Sequence, residues 1–197
     1  MIKEIIEHVL GDDALMRNFD AICDTGGRFA GSDSEAAAQA LLSELLETAT
    51  GTAPTPAPVD YLGWSRGGAS LERIGGAGNV FPCVSLVRSP LTPGSGLVAE
   101  VIDVGRGTER DFETLSSEVK GRIALVRHEY MFATETIHRR RKYQWAMEHG
   151  AIGFLIAAHL SDVGPVTGSS GATPERGIPA AGISAETAEA LIANGRA

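Results

Sequence analysis

The stretch covering residues 120–158 constrains the fold more than any other part of the chain. It holds two apolar runs, residues 123–126 and 151–158, separated by a polar and strongly basic segment. Neither run alternates apolar with polar residues, so each reads as a strand buried on both faces. Residues 134–149 between them carry no Gly or Pro and are long enough for a helix, and Gly150 stands where a helix C-terminal stop is expected. Strand, crossover helix and strand make a βαβ unit, whose two strands must run parallel.

Helical spacing organises the N-terminus. Ile2, Ile5, Ile6, Val9 and Leu10 predict an amphipathic helix ended by Gly11. Asp12 or Asp13 can cap a second helix whose apolar face is Leu15, Met16, Phe19, Ile22 and Cys23, stopped by Gly26 and Gly27. Ser32 and Glu35 have the spacing of a capping box for a third helix carrying Ala38, Leu41, Leu42, Leu45, Leu46 and Ala49. Three such helices are too few to bury their own faces, so they need a partner surface. The TGTAPTPAP stretch at residues 50–58 is rich in breakers and marks the boundary. After it, strands are expected over residues 59–64 and 69–74 around a turn at 65–68, then over 84–87, 97–104 and 178–183. A helical turn is expected at 111–115, and Ser184 can cap a last helix that runs to Ala193. The fold class is therefore α/β in the α+β sense. An N-terminal helical segment, residues 1–58, precedes a β-rich lobe, residues 59–197, that contains the βαβ unit.

Charge and composition exclude several classes. A net charge of −8 argues against a nucleic-acid binder, because phosphate neutralisation needs a basic surface. The cluster from His138 to Lys142 is a local exception and reads by itself as a solvated helix face. No apolar run approaches the length of a membrane span. The N-terminal apolar pattern is interrupted by acids, unlike a signal peptide. Cys23 and Cys83 are the only cysteines, and without a CxxC they read as buried free thiols in a reducing compartment, with a single disulfide as the alternative. The expected location is cytoplasmic.

The local chemical motifs are weak. Gly75-Gly76-Ala77-Gly78 and Gly105-Arg106-Gly107 read as turns, since neither opens a helix after a strand with phosphate-loop spacing. There is no G-x-S-x-G elbow, and nothing local makes Ser169 or Ser170 nucleophilic. The five histidines show no i, i+4 pair and no H-E-x-x-H. His128 and Glu129, just past a buried strand, are the best local acid–base candidates.

Three segments match a recognisable pattern in order and spacing. KGRIALVR at 120–127 resembles the "GKIVLV-R" strand of protease-associated domains. Lys142, Tyr143, Ala146 and GAIGFLI at 150–156 resemble that domain's "K-x-x-x-A-x-x-x-GA-x-G-hydrophobic" segment. GIPAAGIS at 177–184 is similar to its "IP-hydrophobic-x-IS" strand and cap. Upstream, GGRFAGS at 26–32 resembles the opening of co-catalytic zinc aminopeptidases, and GWSRG at 63–67 and SPLTP at 89–93 fit a subgroup with an inserted protease-associated domain.

The resemblance implies a lobe beside a peptidase cleft that governs substrate access or binds a partner. It makes Trp64, Arg66, Arg139, Arg140, Arg141 and Lys142 candidate contacts, although taken alone Trp64 reads as a packing residue and the others as solvated charge. In that family two zinc ions are held by an H-x-D motif, a bridging Asp, a Glu-Glu pair and further ligands. This chain has neither H-x-D nor Glu-Glu, so no catalytic residue and no metal ligand carries over. Zinc belongs to the parent family, and no cofactor is expected here. The expected role is non-catalytic, with a peptide, a protein or a downstream peptidase domain as partner and self-association as a further option. A free-standing protein-binding module is the alternative, followed by an independent α/β enzyme or nucleotide binder.

Overall fold

A computed structural model describes residues 1–75, 80–173 and 175–193. Contacts divide the chain into two compact units, Met1–Ser65 and Arg66–Ala197.

The first unit is helical: α1 (Ile2–Leu10), α2 (Asp13–Asp24) and α3 (Asp33–Thr50). Gly11 closes α1, and the Asp12 carboxylate accepts from the Ala14 amide at 2.8 Å to cap α2. Ser32 caps α3 by accepting from the Glu35 amide. Glu35 does not complete the expected box. Its carboxylate reaches one residue further back, to the amide of Gly31 at 2.5 Å. Arg28 stitches the α2–α3 turn by donating to the carbonyls of Ile22 and Gly26. Only Ala38 of these helices is buried, and Ile2, Ile5, Leu10, Leu15, Met16 and Phe19 are exposed. Cys23 is exposed on α2 rather than buried, Cys83 is half-buried, and both are free thiols.

Residues 59–64 form no strand, so the first expected β element is absent. Gly63 and the Pro-rich approach leave that segment without a ladder. The 69–74 expectation survives only as β1 (Leu71–Glu72), paired antiparallel with β2 (Val80–Phe81), which the sequence did not announce. Gly76, Ala77 and Gly78 of the first Gly-rich run lie outside the described residues.

The second unit is built on a five-stranded sheet. Its strands are β3 (Cys83–Ser85), β4 (Val101–Asp103), β5 (Ile123–Arg127), β6 (Gly153–Ala157) and β7 (Ala180–Ile183), in spatial order β3-β7-β6-β5-β4. β4 to β7 are parallel and β3 is an antiparallel edge. The βαβ expectation holds: Ile123 lies opposite Gly153 and Arg127 opposite Ala157. Helices α4 (Glu109–Thr114), α5 (Ser116–Val119), α6 (Arg139–Glu148) and α7 (Ala185–Ile192) complete the unit.

Strand alternation divides the core into two layers. Ala124, Val126, Phe154 and Ile156 face Phe112, Val119, Tyr143 and Ala146 from α4 to α6. Leu125, Leu155, Ala157 and Ile183 face Ala188 of α7 on the other side. This is why β5 and β6 carry apolar residues at every position. The Tyr143 hydroxyl donates to the carbonyl of Ile178 at 2.9 Å and accepts its amide at 2.7 Å, fixing the entry to β7. Ser184 caps α7 as expected, accepting from the Thr187 amide.

Helix α6 is shorter than residues 134–149. Glu129 accepts the amide of Ile137, Thr136 donates its hydroxyl to the carbonyl of Tyr130, and Glu135 sits at φ +61°. These side-chain bonds offer the backbone an alternative to the helix, so residues 128–138 form a structured loop. His138 then caps α6, its Nδ1 accepting from the Arg140 amide at 3.2 Å.

Candidate functional site

The C-terminal ends of β4, β5 and β6 lie side by side because the three strands are parallel neighbours. Loops leaving such ends build the ligand crevices of open α/β sheets. Here they are tied by charge. Arg127 closes β5 with a bidentate pair to Asp103 at 2.9 and 3.1 Å, and Asp103 also accepts the Gly105 amide.

Lys142 lies one turn before Ala146 on the inner face of α6 and is fully buried. Its ammonium donates to the carbonyl of Arg106 at 2.7 Å, the carbonyl of Arg127 at 2.8 Å and Glu129 Oε1 at 2.5 Å. Those three acceptors use all its protons. Glu129 also accepts from Arg106 Nε and Nη2, both at 3.1 Å, and from the Ile137 amide at 3.2 Å. Burial alone would raise the Glu129 carboxylate, but the bonds from Arg106, Lys142 and Ile137 outweigh it and hold the group at about 2. Burial pushes the Lys142 ammonium below its ordinary value, and Glu129 opposes that. At neutral pH this cluster is a closed charge network spanning the β4–α4 turn, the end of β5 and α6.

His128 and Glu129 are therefore not a working acid–base pair. Glu129 is committed to Lys142 and Arg106. The His128 ring stacks on His159 with centroids 5.5 Å apart, and its buried Nδ1 has no hydrogen-bond partner among the described residues. Burial, then the charges of Arg139, His159, Lys142 and His138, hold His128 below its ordinary value. Its ring lines a cavity of about 10 Å³ together with Glu129, Met131, Thr136, His138 and Arg139.

The other candidate contacts are dispersed. Arg139 is half-buried, donates from Nε to the carbonyl of Ser169 at 3.0 Å, and has its guanidinium against Gly168. Gly168 sits at φ +137°, a backbone conformation that L side chains rarely adopt, and a Cβ there would also displace that guanidinium. Arg140 is exposed with its methylenes near Gly171, and Arg141 lies over the Trp145 ring at 5.2 Å. Trp64 meets Phe29 edge to face at 5.6 Å within the first unit, as a packing residue does. In the second unit Arg66 Nη2 donates to the Thr167 hydroxyl at 3.0 Å. The structure thus brings Arg139, Lys142, His128 and Glu129 to one end of the sheet, the edge formed by the C-terminal ends of its parallel strands. Reading the basic cluster as a solvated face fails at Lys142, whose i, i+4 relation to the buried Ala146 was the available signal.

Arg106, Tyr130, Phe132 and His159 also stand at this edge without having been singled out. Arg106 was hidden in what reads as a glycine turn, and no sequence spacing relates the other three. Among the described residues no group of three or more His, Cys, Asp or Glu could hold a metal ion. Together with the missing H-x-D and Glu-Glu sequences, this means that the residues present do not fit a hydrolytic zinc centre. Among the described residues no helix is long and apolar enough to cross a membrane.

Comparison with known proteins agrees with this architecture. The family model of the PA domain matches residues 85–191, more than half of the chain and the whole of the five-stranded sheet apart from the first two residues of β3. Among solved structures, BSAP, a zinc aminopeptidase from Bacillus subtilis, is 23% identical with a TM-score of 0.59, covering 89% of this chain and 40% of its own. An aminopeptidase from Aneurinibacillus sp. strain AM-1 is 23% identical with a TM-score of 0.63, covering 90% and 40%. A peptidase M28 precursor from Shewanella amazonensis SB2B is 23% identical with a TM-score of 0.62, covering 89% and 43%. The chain therefore spans well under half the length of these structures, and at this identity the likeness is one of fold. No curated protein matches the chain significantly.

Proposed function

Because the chain belongs to the PA domain family, we propose that it is the N-terminal and protease-associated region of a zinc aminopeptidase-like protein. Its role is to contact peptide and govern access to a cleft, and not to cleave. Residues 1–58 serve as part of the peptidase scaffold and residues 59–197 as the lobe. One observation carries this reading. The likeness to solved aminopeptidases extends over 89–90% of this chain, helices as well as sheet, while occupying only 40–43% of theirs. A lobe alone would not match through the N-terminal helices. The chemistry at the sheet edge agrees, since the Glu129 carboxylate is committed to Lys142 and Arg106 rather than standing beside His128 as a free base.

The test is turnover of aminoacyl-nitroanilides by the purified chain with zinc added, then with a chelator. No chelator-sensitive turnover is expected. Robust zinc-dependent cleavage would refute the non-catalytic role.

A further inference from the structure

The loops that leave β5 and β6 carry features that the closed charge network does not use. Tyr130 is 60% exposed and Phe132 85% exposed, far more than large rings usually are on a folded surface. The rings are contiguous. Phe132 meets Tyr130 at 5.7 Å, Tyr130 meets His159 at 6.4 Å, and His159 meets His128 at 5.5 Å. The row ends at the small cavity that is lined by His128, whose buried Nδ1 has no hydrogen-bond partner among the described residues, and by the half-buried Arg139. A cavity of about 10 Å³ is at the lower limit for one water-sized group, such as a carboxylate oxygen.

The local charge is one-sided. The one carboxylate at the cavity, Glu129, is already held by Lys142 and Arg106. Arg139 remains as the cation at the cavity, on a chain whose net charge is −8, since burial and then Arg139 and Arg140 hold His138 below its ordinary value. An anionic group is thus attracted here and repelled by most of the surface. An apolar ring row ending at a basic, partly desolvated niche fits a flexible polypeptide better than a small ion. The rings supply apolar area, and the niche supplies orientation.

We propose that the loops after β5 and β6 form a docking surface for a polypeptide segment with an Asp or Glu beside an aromatic or aliphatic side chain. The apolar side chain lies on Tyr130 and Phe132, and the carboxylate enters the niche of His128 and Arg139. This rests on the peptide-contact role proposed above and says which face serves it and which peptides it selects.

The test is an array of immobilised decapeptides in which one Asp or Glu stands at each spacing from one Phe or Leu, with Asn and Gln counterparts. Affinities of the strongest binders are then measured in solution by fluorescence anisotropy. Acidic peptides are expected to bind about tenfold more tightly than their amide counterparts, the loss expected for one charge-assisted hydrogen bond. The double substitution Tyr130→Ala and Phe132→Ala, at exposed positions that leave the core intact, is expected to abolish binding with unchanged circular dichroism. Arg139→Gln is expected to erase the preference of acid over amide while residual binding remains. No retained peptide, equal binding of acid and amide, binding indifferent to the double substitution, or N-acetylaspartate binding as tightly as the peptides would each overturn the proposal. Failure here leaves the nitroanilide result untouched, and zinc-dependent turnover there would leave this surface standing, so the two failures are distinguishable.

Discussion

Replacing Lys142 by Met keeps the length and apolar stem of the side chain and removes its charge. Three acceptors then lose their donor: the carbonyls of Arg106 and Arg127 and one oxygen of Glu129. Each orphaned buried acceptor costs about 1–3 kcal/mol, and breaking a buried ion pair from one side costs about 3–5 kcal/mol. Glu129 keeps Arg106 and the Ile137 amide, which places the loss near the lower end, about 3 kcal/mol. The depression of the Glu129 carboxylate from 4.5 to about 2 works against its burial and belongs to the whole network, the hydrogen bond from Arg106 lowering it most, then Lys142 and the Ile137 amide, so only the share that Lys142 contributes is lost with the ammonium. The assay is urea unfolding of the parent and of Lys142→Met at pH 7, with the midpoint expected to fall at unchanged slope. The sign with pH follows from linkage. A depressed carboxylate stabilises fully above its unfolded value, and that stability is lost as pH falls from 4.5 through about 2. The share of the parent's advantage over Lys142→Met that comes from the Lys142–Glu129 pair should therefore be lost across that window, while the share held by Arg106 is common to both. A variant within about 1 kcal/mol of the parent at pH 7 would refute the view that Lys142 holds the sheet edge together.

Other substitutions probe separate parts of the account. Tyr143→Phe removes a hydroxyl that both donates to and accepts from the backbone of Ile178, and should cost about 1–3 kcal/mol in urea unfolding without loss of secondary structure. Gly107→Ala puts a methyl 2.7 Å from Val126 Cγ1 at a φ of +75°; left-handed strain of about 1–2 kcal/mol and overpacking of similar size should lower the thermal midpoint markedly. Thr108→Ala breaks the reciprocal capping box with Asp111 and should cost about 1 kcal/mol by the same measurement. Followed by proton NMR, His128 should titrate below its ordinary 6.5, because burial and then Arg139, His159, Lys142 and His138 oppose its protonation. Its folded value is depressed, so its contribution to stability is present above 6.5 and is lost as pH falls through the folded value.

The sheet was legible where the sequence carried periodic apolar signals. β5 and β6 are unbroken apolar runs because both faces are covered, and β7 followed from the run ending at the Ser184 cap. Short edge elements were not legible. β1 and β2 are two residues each, too short for any period to form, and residues 59–64 were β-like in composition with nothing to pair against. The late start of α6 was hidden because Glu129, Thr136 and Glu135 divert the backbone through contacts local in space but unmarked by composition. At the site, His128, Glu129, Arg139 and Lys142 were found by type, but their roles were not. Lys142 looked like surface charge, although its spacing from Ala146 pointed inward. The pairing of Glu129 with Arg106, and the ring row through His159, arise only when parallel strands align separate loops.

Recognition without hydrolysis is the central claim, and one measurement addresses both halves. The purified chain is incubated with zinc and a mixed pool of acidic and neutral peptides, and the retained and free fractions are analysed by mass spectrometry. The account predicts retention of peptides carrying a carboxylate beside an aromatic or aliphatic residue, all at their original length. Retention blind to the carboxylate, or peptides shortened from the N-terminus, would contradict it.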